Sequence, residues 1–211
     1  SVILYSGLHD ARAGRFLVVG RHTNGADSGR CAFWSQAYAA AFPDSGPLGD
    51  WDFLLHGEPA PGPHNRAAFY DIAAGDGEGA YALVGFATAP AAGGDGCQDD
   101  MLVLEATFGA DEGWAAHATY HLGFDDADEV AFAVASLPTG GFVLGGYGVE
   151  PGSGARAAVA VSFDFGGGAP VLRHHPYPQD GTDDGGGDRY RAVAAAAGGA
   201  DVLVAGSASE S

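Results

Sequence analysis

The chain has 211 residues, of which 46% are hydrophobic and 17% charged, so it holds enough apolar material for a core. This composition excludes a disordered chain. No apolar run reaches about eighteen residues, which excludes a transmembrane helix. Nine basic residues stand against 27 acidic ones, for a formal net charge of −18. A surface this acidic does not attract phosphates, so nucleic acid and membrane insertion are excluded.

An apolar run that ends in glycine occurs four times along the chain. The four glycines are Gly20, Gly85, Gly146 and Gly206, at spacings of 65, 61 and 60 residues. A glycine-bearing turn precedes each run, and a short apolar stretch precedes each turn, which is the pattern of a β-hairpin. These earlier stretches are residues 2–5, 67–72, 130–135 and 190–197. The alanines at 192–197 favour a helix by propensity, but the other copies hold β-branched and aromatic residues there, so we predict a strand.

Two further strands are predicted after each of the first three hairpins. The predicted third strands are 32–38, 101–107 and 157–163, and the fourth strands are 51–55, 114–120 and 171–175. The unit is thus four antiparallel strands in about sixty residues, without a convincing helical pattern. Such units in tandem are typical of a β-propeller, and we predict this all-β fold.

One propeller domain is predicted over residues 1–211, with three full blades and one half blade. The blades cover about 1–60, 64–122 and 126–178, and the partial fourth blade covers about 188–211. Four hairpins but only three outer strand pairs leave the ring incomplete. We therefore predict an excerpt of a larger propeller, with the missing blades supplied by the rest of a longer chain. A compact four-bladed ring and a ring shared by two chains are the alternatives.

The segment from Asp100 to Gly146 carries the most detailed motif. It has a strand beginning with aspartate, a Gly–Trp pair, an acidic pair and a paired-glycine hairpin. These features are Asp100, Leu102, Leu104, Gly113, Trp114, Tyr120, Gly123, Asp128, Glu129, Gly140, Gly141, Phe142 and Gly146. The segment resembles the tandem repeats of secreted bacterial β-propellers, the SBBP-type repeat. The resemblance implies a propeller that is extracellular, at the cell surface or periplasmic, and it implies no particular activity.

The other copies match this motif less well. The first copy keeps a tryptophan at Trp51 but has residues 64–66, His-Asn-Arg, where the acidic pair would stand. The third copy has Val171 near the place of the tryptophan. The resemblance therefore covers most of the chain in the length of the repeat, but only one copy in its individual residues.

An acidic, glycine-rich segment at 180–188 is the candidate metal site. Alternating oxygen-bearing side chains followed by glycine can wrap around a calcium ion, which prefers six to eight hard oxygen ligands. The predicted ligands are Asp180, Thr182, Asp184 and Asp188. An EF-hand is excluded because Arg191 stands where its last glutamate would be. Calcium is the one cofactor candidate, and a flexible acidic loop between blades is the alternative.

Two cysteines, Cys31 and Cys97, occupy nearly equivalent places in adjacent units. A disulfide between them requires loops that lean together in an oxidising compartment. The alternative is two separate, half-buried thiols.

The acidic stretch 125–129 has two interpretations. Its carboxylates either accept backbone N–H groups at a turn or form part of a ring of carboxylates that attracts cations.

Function is predicted from what the first strand of each unit contains. These strands would line the central channel, and within residues 2–5, 67–71, 130–134 and 191–194 the ionisable or phenolic residues are few: Tyr5, Tyr70, Asp71 and Arg191. We therefore predict no catalytic residues and a binding scaffold for an extracellular protein or glycan. A carbohydrate-active hydrolase or lyase with its site at the channel is the second hypothesis. A structural spacer in a repetitive surface protein is the third.

Overall fold

A computed structural model describes twelve segments of the chain. They are residues 1–23, 35–45, 52–57, 66–77, 79–90, 97–109, 112–122, 128–149, 156–165, 173–176, 189–196 and 201–207. These residues form fourteen β-strands and no helix. The prediction of an all-β protein is therefore confirmed. No helix in the described segments is long and apolar enough to cross a membrane.

The strands form antiparallel sheets that follow one another along the chain. The first sheet contains β1 (Val2–Asp10), β2 (Arg15–Thr23), β3 (Ser35–Pro43) and β4 (Asp52–His56). The second contains β5 (Ala67–Ala74), β6 (Ala80–Pro90), β7 (Cys97–Gly109) and β8 (Gly113–Leu122). The third contains β9 (Val130–Ser136), β10 (Phe142–Val149), β11 (Arg156–Phe163) and β12 (Arg173–Pro176). The fourth pairs β13 (Arg189–Ala195) with β14 (Val202–Ser207). Within each sheet the spatial order is the chain order, so every connection joins neighbouring strands.

Most predicted strands lie where the sequence pattern placed them, and the largest differences are in the first sheet. The strand predicted at 2–5 continues to Asp10, because the residues after Tyr5 resume pairing with β2. The strand predicted at 32–38 lies at Ser35–Pro43, because β2 offers it backbone partners as far as Arg15. The alanine-rich segment near 192 is a strand, as predicted against its helical propensity.

A β-bulge interrupts the first strand of every sheet at the same place. In the first sheet Leu4 pairs with Gly20 and Ser6 pairs with Val19, which leaves the intervening residue without a partner in the ladder. The second, third and fourth sheets repeat this shift beside Gly85, Gly146 and Gly206. The bulged residues are Tyr5, Tyr70, Phe132 and Arg191. A bulge redirects a side chain locally, so the four sheets present these side chains in the same way.

The bulge explains why the repeated apolar runs end in glycine. A Cβ atom on Gly85 would overlap the backbone carbonyl oxygen of Ala68 on the neighbouring strand. The same overlap would occur at Gly20 and Gly146. Because backbone cannot move aside as a flexible side chain can, any larger residue here would break the pairing of the two strands.

The sheets pack face to face through buried apolar side chains. At the first interface the first sheet contributes Leu17, Val19, Ala37, Ala39 and Ala41, and the second contributes Phe69, Tyr81, Leu83, Leu102 and Phe108. At the second interface the second sheet contributes Ala73, Ala82, Val84, Met101 and Val103, and the third contributes Val134, Phe142, Leu144, Val161 and Phe163. The fourth sheet follows, with β13 against β9 and β10. We call the face that looks toward the next sheet the back face, and the face that looks toward the preceding sheet the front face.

Candidate binding surface on the first strands

The four bulged side chains form one continuous row across the four sheets. The ring centroids of Tyr5 and Tyr70 lie 4.8 Å apart, and those of Tyr70 and Phe132 lie 5.4 Å apart. The row ends with the guanidinium carbon of Arg191, 4.6 Å from the centre of the Phe132 ring. We call these four residues the bulge row. Each sheet contributes one member, so the row exists only when the sheets stack.

The first strands bring the row together because they contact one another in sequence, β1 with β5, β5 with β9, and β9 with β13. The bulge then turns one side chain per strand toward its neighbours. Tyr5 and Arg191, at the two ends, are exposed, whereas Tyr70 and Phe132 in the middle are half-buried. Solvent therefore reaches both ends of the row, while its two central rings are partly buried.

A second set of aromatic side chains supports the row from one side. Phe86 lies 5.8 Å from Tyr70, and Tyr147 lies 5.8 Å from Phe132, both measured between ring centroids. Burial raises the pKa of Tyr70 to about 12. Its phenol therefore stays protonated at neutral pH and keeps an O–H donor.

Asp71, directly after the bulge of the second sheet, bridges three sheets. Its Oδ1 accepts a hydrogen bond of 2.6 Å from the Ser6 hydroxyl in the first sheet. Its Oδ2 accepts a hydrogen bond of 2.9 Å from the backbone N–H of Val134 in the third sheet. Both oxygens are thus used to fix the sheets beside the bulge row, and the carboxylate acts as a structural link.

Sequence reasoning named most of this surface as separate residues. Tyr5, Tyr70, Asp71 and Arg191 were each identified on first strands, and the structure brings them together. Phe132 was not identified, because a phenylalanine within an apolar stretch is typical of a buried core residue. An alignment on the repeated glycines would have found it, since every bulged residue stands fourteen or fifteen positions before its glycine.

The acidic pair that precedes the third sheet takes part in a contact with the second sheet. Asp128 Oδ1 accepts a hydrogen bond of 3.0 Å from the backbone N–H of Asp99, and Glu129 is fully buried. Asp99 Oδ1 also accepts a hydrogen bond of 2.8 Å from the Thr88 hydroxyl. Burial raises the pKa of the adjacent Asp100. Asp128 thus accepts a backbone N–H, but from a strand of the second sheet and not from the local turn that was predicted.

The predicted calcium ligands lie outside the described residues. They are Asp180, Thr182, Asp184 and Asp188, all within 177–188. Cys31 also lies outside them, and Cys97 begins β7, where only its backbone pairing with Pro90 is described. Both the metal site and the disulfide therefore stay predictions. In the described part of the chain, no group of three or more His, Cys, Asp or Glu residues can hold a metal ion.

Trp114 is a packing residue. Its ring lies 5.9 Å from that of Tyr81 and 5.2 Å from that of Phe108, beside the core of the first interface. His117 and His121, four residues apart on β8, are both exposed, and His117 Nε2 lies 2.7 Å from the Thr107 hydroxyl. Neither feature adds a chemical group to the bulge row.

Comparison with known proteins finds no family model that matches the chain and no curated protein with significant similarity to it.

Proposed function

We propose that the chain forms blades of a β-propeller and acts as a non-catalytic scaffold that binds a glycan. Secretion or display at the cell surface is part of this proposal, and it is supported by the resemblance of residues 100–146 to the SBBP-type repeat. The blades that complete the ring come, in this proposal, from the rest of a longer chain.

The arrangement of the sheets supports the propeller. Each four-stranded sheet is an antiparallel meander, and successive sheets stack face to face. The first strands contact one another from sheet to sheet, as the strands nearest the axis of a propeller do. The repeated bulge beside a repeated glycine is then a feature of the axial strand of every blade.

The bulge row is the observation that carries the binding proposal. Three aromatic rings and one guanidinium, each from a different sheet, lie within about 5 Å of the next and reach solvent at both ends. A core that only needed to fill space would not place an arginine and an exposed tyrosine at equivalent bulges. Aromatic faces with a few hydrogen-bonding groups are the usual lining of a small-molecule or sugar site.

The net charge of the protein favours one kind of glycan over another. Aromatic rings contact the C–H faces of sugars, and the phenol and guanidinium groups donate hydrogen bonds to hydroxyl oxygens. A net charge of −18 repels acidic polysaccharides at ordinary ionic strength. The row therefore suits a neutral oligosaccharide better than a uronic-acid polymer.

The hydrogen bonds of the two carboxylates on the first strands, Asp71 and Asp10, favour a binding scaffold over a hydrolase. Glycoside hydrolysis uses a pair of carboxyl groups that face the sugar. Both oxygens of Asp71 accept hydrogen bonds from neighbouring sheets. Asp10, at the end of β1, accepts hydrogen bonds from the Tyr81 hydroxyl and from the backbone N–H of Arg12. Each carboxylate therefore already has structural partners.

The proposal is tested by titrating the protein with neutral oligosaccharides and with uronic-acid oligosaccharides of equal length. We expect a neutral oligosaccharide to quench tyrosine fluorescence or to release heat in calorimetry. Tyr5→Ala and Arg191→Ala each remove an exposed end of the row and should weaken binding about tenfold or more. His117→Ala, on an exposed strand away from the row, is the matched control.

Two results would count against the proposal. Binding that is unchanged in both Tyr5→Ala and Arg191→Ala would separate the ligand from the bulge row. Hydrolysis of an oligosaccharide, detected as new reducing ends, would replace the scaffold by an enzyme.

A further inference from the structure

Four acidic residues meet where the second sheet contacts the third. Asp99 and Asp100 lie on β7, and Asp128 and Glu129 come directly before β9. The backbone N–H of Glu129 donates a hydrogen bond of 2.5 Å to the backbone carbonyl oxygen of Asp99. The backbone N–H of Asp99 donates one of 3.0 Å to Asp128 Oδ1. We call these four residues the carboxylate cluster. Because both bonds hold backbone groups in place, the acidic side chains cannot simply move apart.

The carboxylate cluster is buried as well as acidic. Asp99 and Asp100 are 8% exposed, and Glu129 is 0% exposed. Asp99 has partners for its charge, since its Oδ1 accepts a hydrogen bond of 2.8 Å from the Thr88 hydroxyl and lies 3.9 Å from Nη1 of Arg66. A buried carboxylate with weaker partners is less stable as an ion, because the protein interior solvates charge poorly.

Asp100 has less support for a negative charge than Asp99. Its Oδ1 accepts a hydrogen bond of 3.1 Å from the neutral amide of Gln98. His121 on β8 also favours the charged form, but it is exposed, so solvent screens its attraction. Asp99 and Asp128 repel the charge. Burial has the largest effect, and the pKa of Asp100 is raised above its ordinary value.

The equivalent place between the first and second sheets is neutral. Counted from the repeated glycine, Ser35 and Gln36 of β3 hold the register positions that Asp99 and Asp100 hold in β7. They are also buried, at 1% and 6% exposed. The Ser35 hydroxyl donates a hydrogen bond of 3.0 Å to the backbone carbonyl oxygen of Ala67, the first residue of β5. Neighbouring sheets are therefore linked here without charge, so stacking by itself does not require carboxylates at these positions.

We propose that the carboxylate cluster is an acid-responsive clamp, in which uptake of one proton by Asp100 tightens the contact between the second and third sheets. The proton comes from solvent and binds one carboxylate oxygen. The neutral carboxyl group is no longer repelled by Asp99 and Asp128, and its burial costs less hydration free energy. The proposal concerns the contact between two interior sheets and does not depend on the bulge row binding a glycan.

The direction of the pH effect follows from the raised pKa of Asp100. Because this pKa is higher in the folded chain than in the unfolded chain, the folded protein binds more protons. The resulting stability is fully present below the ordinary value of 3.8 and is lost as the pH rises through the folded value. The clamp is therefore loose at neutral pH and tightens as the solution becomes acidic.

The test is urea denaturation of the wild type and Asp100→Asn at pH 7 and pH 4.5, at constant ionic strength. Asparagine keeps the size of the side chain and an oxygen that accepts the Gln98 hydrogen bond, but it cannot ionise. We expect Asp100→Asn to raise the urea midpoint at pH 7 by about 0.3 M or more. The gain should shrink at pH 4.5, where the wild type takes up its proton.

Asp164→Asn is the matched control for the net charge of −18. Asp164 is exposed and follows the end of β11 that lies away from Val130, so its removal leaves the carboxylate cluster intact. Its urea midpoint should shift with pH as that of the wild type does. Carbon-13 NMR of the wild type gives a second readout, in which the carboxyl resonance of Asp100 should titrate at a higher pH than that of Asp164.

Three results would overturn the proposal. A urea midpoint that does not rise in Asp100→Asn at pH 7 would mean that the ionised carboxylate does not weaken the contact. An equal gain at pH 7 and pH 4.5 would mean that the wild type takes up no proton at Asp100 in this interval. An Asp100 resonance that titrates at or below the pH of Asp164 would contradict proton uptake without the use of any variant.

Discussion

The Tyr81 hydroxyl donates a hydrogen bond of 2.7 Å to Asp10 Oδ2, across 71 residues of sequence. The bond joins the end of β1 in the first sheet to the beginning of β6 in the second. Burial raises the pKa of Asp10. The hydrogen bonds from the Tyr81 hydroxyl and from the backbone N–H groups of Ala13 and Arg12 together lower it by more, so the pKa of Asp10 lies below its usual value. Burial and the same hydrogen bond raise the pKa of Tyr81. The pair is therefore stable as a phenol beside a carboxylate.

Removal of this hydroxyl should destabilise the contact between the first two sheets. In Tyr81→Phe the ring still packs beside Trp114, but Asp10 loses one donor in a buried place. We expect the free energy of unfolding to fall by about 1–3 kcal/mol, measured by urea denaturation. Tyr5→Phe, at an exposed tyrosine of β1, is the matched control and should change stability by less than about 0.5 kcal/mol. Equal losses in the two variants would contradict a specific role for the Tyr81 hydroxyl.

Gly85→Ala should be far more harmful than its small size suggests. The new methyl group would overlap the carbonyl oxygen of Ala68, so β5 and β6 must separate at the bulge. We expect a loss of more than about 3 kcal/mol in the free energy of unfolding, or failure to fold. Gly77→Ala is the control, because its methyl group would meet the Ala80 side chain at 3.4 Å, an ordinary contact. Thermal melting of both variants decides the point, and similar melting temperatures would exclude the close approach at the bulge.

Asp71 and Ser6 should show a coupling free energy in a double-mutant cycle. Ser6→Ala removes one hydrogen bond to the carboxylate, and Asp71→Ala removes that bond and the bond from the Val134 N–H. We expect Asp71→Ala to cost about 2 kcal/mol of unfolding free energy and the pair to couple by about 1 kcal/mol. Denaturation of the two single variants and the double variant gives both values. Additive effects would mean that the two side chains act independently.

Stability should fall at alkaline pH because burial raises the pKa of three described tyrosines, Tyr38, Tyr70 and Tyr81, in the folded state. The pKa of Tyr70 is about 12 when folded, against about 10 for an exposed tyrosine. A raised pKa contributes stability that is fully present below pH 10 and is lost as the pH rises toward 12. We expect Tyr70 alone to account for a loss of about 1 kcal/mol between pH 8 and pH 11, measured by urea denaturation. The Tyr70→Phe variant should lose correspondingly less over the same interval, and an identical pH dependence in the variant would contradict this assignment.

Much of the fold could be predicted from local patterns alone. Short apolar runs, glycine turns and the spacing of Gly20, Gly85 and Gly146 indicated strands and hairpins, because strand formation and tight turns depend on neighbouring residues. Comparison of the four repeats also placed the alanine-rich segment near residue 192 in a strand, against its helical propensity. The sequence also identified Asp71, Arg191, Tyr5 and Tyr70 as the unusual residues of the first strands.

The tertiary structure alone decided what those residues do. The bulge register aligned Phe132 with Tyr5 and Tyr70, and the stacking of sheets placed Asp71 between Ser6 and the Val134 N–H. The sequence by itself determined the repeated antiparallel strands, since the forces that form them act over a few residues. Which side chains meet between sheets depends on contacts more than sixty residues apart, and those contacts arise only when the sheets pack.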